Sequence, residues 1–82
     1  MAFKSSNLSV ITFANAFTLY HYRTIGDTFA EVCELDYFEK VRTLSNTGDI
    51  VIINAKDRTG IKVMVLEDDH IKLVDLGDHY VS

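Results

Sequence analysis

Proline and tryptophan are absent from this chain, cysteine occurs once and glycine four times. Each shortage excludes something. The single thiol, Cys33, rules out an internal disulfide, and no Cys/His spacing suggests a structural zinc. Gly26 and Gly48 stand alone, so no glycine-rich loop can cradle a phosphate. Positive charge is also scarce: eight Lys and Arg, scattered singly, face twelve Asp and Glu, for a net charge of −4. Such a pattern offers no stripe for tracking DNA or RNA phosphates and no polybasic membrane contact, so neither nucleic acid nor membrane is expected as a partner. No apolar run approaches the ~18–20 residues that span a bilayer. Without proline or a low-complexity linker, residues 1–82 read as one domain with a flexible arm at residues 1–6.

What is present is apolar. The composition is 48% hydrophobic over 82 residues, and a chain of that length buries only about 60–65% of its unfolded surface. Domains this small lean on disulfides, metals or oligomerisation. With the first two unsupported, oligomerisation remains. The apolar residues are unevenly placed: Phe13, Phe17, Tyr20 and Tyr22, four of the nine aromatics, fall within ten residues. The block lacks the charges that usually guard an edge strand. Lys4 followed by Leu8–Ala14, with Ala14-Asn15-Ala16 as an A-x-A site, imitates a signal peptide. Ser9 and Thr12 dilute it, and an N-terminal strand is the better reading. One unpaired cysteine suits a reducing cytoplasm.

Along the chain, Leu8–Ala14 and Phe17–Tyr22 are rich in β-branched and aromatic residues and read as two strands with Asn15 between them as a turn or bulge. Thr24–Thr28 is a turn, and Phe29–Cys33 is too short to assign as helix or strand. Asp36 with Glu39 three residues on forms an apparent capping box. Tyr37, Val41 and Leu44 follow at helical spacing, which predicts one helix over Asp36–Leu44. Ile50–Ala55 is apolar on both faces and reads as the central strand. A turn at Asp57–Gly60, a strand at Ile61–Leu66, a tight turn at Asp68-Asp69 and a strand at Ile71–Leu76 complete the chain. Alternation sets Ile61, Val63 and Val65 on one face, with Lys62 outward and Met64 and Leu66 half-buried. The expected fold is mainly β: a small barrel- or sandwich-like domain of SH3- or OB-like type with one short helix, an analogy that carries no function.

No constellation for chemistry emerges. Cys33 with His21, His70 or His79 could in principle pair a thiol with an imidazole, but nothing in the spacing brings them together. Asp68-Asp69-His70 and Asp75…Asp78-His79 are ordinary turn residues without calcium-loop spacing. Glu31, Glu34, Asp36 and Glu39 read as a solvated face. The expectation is a non-enzyme with no cofactor and no metal. The aromatic strip is different. Phe17 and Leu19 are expected to enter the core while Tyr20 and Tyr22 lie on an outer face that docks on a neighbouring subunit, making Phe17, Leu19, Tyr20 and Tyr22 the candidate interface.

The run Asn7-Leu8-Ser9-Val10…Ala14-Asn15-Ala16-Phe17-Thr18-Leu19-Tyr20-His21-Tyr22-Arg23-Thr24, with Asp36-Tyr37-Phe38 and Gly48-Asp49-Ile50…Asn54-Ala55, resembles a group of small proteins from the virion structural region of tailed bacteriophages and prophages. Relatives in that group often carry Gly at the position of Ala16 and Trp at that of Tyr20. The resemblance implies a homo-oligomeric virion component, assembled in the host cytoplasm and bound to a capsid, neck or tail protein. Capsid decoration, cement or head-fibre base is the leading role, a neck, tail or tail-fibre subunit the next. A monomeric peptide-binding module is the competing class.

Overall fold

The computed structural model describes residues 2–14 and 17–76. Five strands, β1 (Leu8–Ala14), β2 (Phe17–Arg23), β3 (Ile50–Asn54), β4 (Thr59–Glu67) and β5 (His70–Asp75), form one sheet in sequence order. β1–β2, β3–β4 and β4–β5 pair antiparallel, while β2–β3 is parallel, so the sheet is mixed. It is open, with β1 and β5 as its edges, rather than the closed barrel implied by the SH3-like or OB-like analogy.

β3 holds the centre, as its two-sided apolar run predicts. Its register against β2 is pinned by the buried Asp49, whose Oδ1 accepts from Thr18 N at 3.1 Å and whose Oδ2 accepts from Asn46 N at 2.9 Å. The Asp68-Asp69 turn is also as expected. Both residues adopt positive φ, 52° and 65°, between the paired Glu67 and His70, the twist that a two-residue hairpin needs.

One face of the sheet carries the core. Tyr20 and Tyr22 from β2, Val51 and Ile53 from β3, Met64 from β4 and Ile71 from β5 pack beneath Phe3, Phe29, Val32 and Phe38. Phe3 stacks on Tyr22 with ring centroids 5.4 Å apart, and Phe38 meets Tyr22 edge-on at 5.2 Å. Such pairs contribute about 0.5–1.5 kcal/mol each beyond their buried area. Residues 2–6 are therefore not the free arm expected: Phe3 is in the core and Lys4 N donates to the Tyr22 hydroxyl.

The helical segments differ from expectation. The α-helix is the four-residue α1 (Phe29–Val32), the segment left unassigned by sequence. Its capping box is Thr28 with Glu31: Thr28 Oγ1 accepts from Glu31 N, and Glu31 Oε1 accepts from Thr28 N. At the expected helix Asp36–Leu44 there is only a 3-10 helix, Glu39–Leu44. Asp36 does not cap it. The residue adopts φ 63°, and its carboxylate accepts from Ile71 N at 2.9 Å and contacts His70 Nδ1 at 2.6 Å. A second partner across the molecule outcompeted the local one, and Leu44 of the supposed apolar stripe is exposed. On β4, Met64 is fully buried rather than half-buried. Lys62, expected to face outward, is mostly covered, lying over the Phe29 ring and paired with Asp75. The expectations at Asn15, Ala16, Asp78 and His79 lie outside the described residues.

Candidate interaction face

α1 and the 3-10 helix Glu39–Leu44 pack on the core side, and among the described residues no layer lies over the other face of the sheet. Its composition follows from strand parity. The register sets Leu19, Ile50, Val63 and Val74 in one row across β2 to β5, with Thr12 continuing it on β1. The next row places His21, Ile52 and Ile61 side by side. On the other side, Val65 stands opposite Lys72. Val63 is buried, Ile50 and Ile52 are half-buried, and Ile61 is 47% exposed.

Polar residues close this apolar band at both ends. At one end Thr59 Oγ1 donates to Asn54 Oδ1, and Asn54 Nδ2 meets His21 Nε2, both at 2.5 Å, beside Arg23. At the other, Lys72 Nζ donates to Glu67 Oε1 at 3.1 Å. An apolar centre within a polar rim is the anatomy of a protein–protein contact.

The sheet edge beside it is also apolar. On β1, Val10, Ile11 and Phe13 are each more than half exposed, and a bulge between Val10 and Thr12 turns Phe13 onto the core side of the sheet.

Of the four expected interface residues, Phe17 and Leu19 lie half-buried on the open face, whereas Tyr20 and Tyr22 are in the core. The faces are thus the reverse of the expectation. Each buried tyrosine finds a hydroxyl partner: Tyr20 meets Ser45 Oγ at 3.2 Å, and Tyr22 meets Tyr37, which donates to the buried Asp27 at 2.5 Å. Burial, reinforced by Asp27 and then Tyr22, pushes the Tyr37 hydroxyl far above the ordinary tyrosine range and keeps it a donor. This chain of hydroxyls knits loop to sheet. The residues that sequence reasoning missed are Ile50, Ile52, Ile61, Val63, Val65 and Val74, and the two-sided run of β3 was the signal that could have found them.

Among the described residues, nucleophile and base are not brought together. His21 contacts Asn54, His70 contacts Asp36, and burial raises the half-buried Cys33 thiol rather than activating it. Among the described residues no group of three or more His, Cys, Asp or Glu is placed to hold a metal ion. Compared with known proteins, the chain matches no family model, and neither a curated protein nor a solved structure matches it.

Proposed function

We propose that this chain is a non-enzymatic structural subunit that works by self-association and by binding a larger particle. The observation that carries the reading is the uncovered aliphatic face of the sheet: β3 has the two-sided apolar pattern of a strand buried on both faces, and the described chain covers one. The resemblance of its motifs to small proteins of the phage structural region supports a bacteriophage virion as that particle, with capsid decoration, cement or head-fibre base ahead of a neck or tail position. Many weak contacts repeated on a symmetric shell add through multivalency, which suits a domain of this size. The likeness to SH3- or OB-like barrels belongs to this proposal as an analogy of element order only.

The test is the copy number of the chain in purified particles, measured by quantitative mass spectrometry. Hundreds of copies support a capsid role, about a dozen or fewer a neck or tail role, and absence from particles overturns the reading.

A further inference from the structure

We infer that the open face packs against the same face of a second copy, as a two-fold β-sandwich in which Arg23 of each chain lies over Glu67 of the other. The inference rests on the self-association reading and specifies its surface and its geometry.

Three observations carry it. The first is the burial pattern: a strand apolar on both faces belongs between two layers, and facing sheets supply the second layer at about 10 Å separation. The second is charge. The chain carries a net charge of −4, yet the centre of this face carries no ionisable side chain along the Leu19–Ile50–Val63–Val74 row. A second copy can approach there without like-charge repulsion.

The third is the placement of the rim charges. β2 and β4 flank β3 on either side. From the row through Ile50, Arg23 is two same-face positions away along β2 in one direction, past His21. Glu67 is two same-face positions away along β4 in the opposite direction, past Val65. Arg23 and Glu67, whose Oε1 already accepts from Lys72 of its own chain, therefore stand at opposite ends of a diagonal centred on Ile50. A two-fold axis in the interface plane, perpendicular to that diagonal, exchanges its ends. It sets each Arg23 over the partner's Glu67 and each Ile50 over its own copy. Because the diagonal runs close to the strand direction, the two sheets cross at a shallow angle, as aligned sandwiches do at about 30°.

The contact is modest in size. Four strand spacings of about 4.8 Å and three rows of alternate residues give a flat footprint of roughly 400 Å², against about 800 Å² per partner in a standard interface. Association is accordingly concentration-dependent, in keeping with a subunit whose binding is reinforced by repetition.

Sedimentation equilibrium of the full chain across a range of concentrations tests the geometry. Wild type is expected to approach twice the chain mass at high concentration, and Ile61→Lys is expected to stay at the single-chain mass with an unchanged circular dichroism spectrum. Arg23→Glu, on an exposed rim position, should weaken the dimer about tenfold, and the exchange Arg23→Glu/Glu67→Arg should restore it. These rim variants keep the test informative even where Ile61→Lys fails to fold. A dimer untouched by Ile61→Lys, or a charge exchange that gives no rescue, would remove this face or this orientation while leaving self-association standing. A wild-type chain that stays monomeric at all concentrations overturns the sandwich, and the particle copy number then decides the functional reading separately.

Discussion

Adding one methyl group at Gly60 is expected to destabilise the domain. Gly60 lies on β4 opposite Ile53, on the core side of the sheet, and a Cβ built there would stand 2.6 Å from both Cε1 and Cζ of Phe29. The ring has little room to yield. It is buried, the Arg58 guanidinium lies 4.2 Å from its centroid, and its backbone is held by Phe29 N donating to Asp57 Oδ1 at 2.8 Å. Overpacking of this kind costs about 1–3 kcal/mol. Replacing glycine by alanine returns about 0.4–1 kcal/mol by restricting the unfolded chain. The net expectation for Gly60→Ala is a loss of about 1–2 kcal/mol, which for a domain of this length lowers Tm by roughly 4–8 °C per kcal/mol. Urea denaturation monitored by circular dichroism measures it, and the midpoint should fall with the slope unchanged. A double-mutant cycle with Phe29→Leu locates the cause: the pair should cost less than the sum of the singles by about 0.5–1 kcal/mol or more. Additive costs, or a Gly60→Ala chain as stable as wild type, would refute the close approach of ring and strand.

Three further outcomes are expected. Ile53→Ala, in the core, should cost about 2–5 kcal/mol, whereas the half-buried Ile52→Ala on the open face should cost only about 1 kcal/mol at monomer dilution; equal costs in urea titrations would mean that both faces of β3 are covered within one chain. The Asp36 carboxyl is held below its ordinary value, first by the Ile71 N–H and then by His70. Its folded-state pKa is therefore below its unfolded one. The stability it contributes is full above the ordinary aspartate value of about 3.9 and is lost as pH falls through the depressed value. Asp36→Asn should show a shallower loss of stability on acidification, and an acid titration identical to wild type would contradict the assignment. Finally, burial raises the Cys33 thiol, so it should react with a maleimide at neutral pH more slowly than glutathione does, and a faster rate would show an activated thiolate.

The parts of the fold legible in sequence were those whose signals were local or strongly patterned. The uninterrupted Ile50–Ile53 run announced a central strand, and Asp68-Asp69 between two apolar runs announced a hairpin. Asp36 shows where local reading fails: Asp-x-x-Glu is a capping pattern, but the carboxylate is taken by Ile71 and His70, far along the chain. The true box at Thr28 and Glu31 precedes a helix of four residues, too short to leave a period. In β2, Phe17 and Leu19 compete with Tyr20 and Tyr22 for the same face, and in a strand a shift of one residue exchanges the faces entirely. What settles that choice are hydroxyl partners at Ser45 and Tyr37 and the Asp49 contact to Thr18, all contributed by distant segments. The candidate face was half legible: its aliphatic residues were recognised as strand interior, but only the one-sided placement of Phe3, α1 and the 3-10 helix Glu39–Leu44 leaves them without a covering layer among the described residues.

The single parallel pairing, β2 with β3, also sets the order in which the molecule can assemble. The β1–β2 pair and the β3–β4–β5 meander are each built from neighbours in sequence, so their ends meet at small loop-closure cost. Joining them requires Arg23 and Asn54 to come together across the whole segment from Thr24 to Asp49, which holds both α1 and the 3-10 helix. Non-local, parallel pairing of that kind is intrinsically slow. The meander is thus the natural nucleus and the N-terminal hairpin the late arrival, which predicts that substitutions in β1 accelerate unfolding while leaving the folding rate nearly unchanged. Until that hairpin docks, the β2-facing edge of β3 is open, and a nascent chain passes through a state with an unguarded aliphatic strand on its way to the finished sheet.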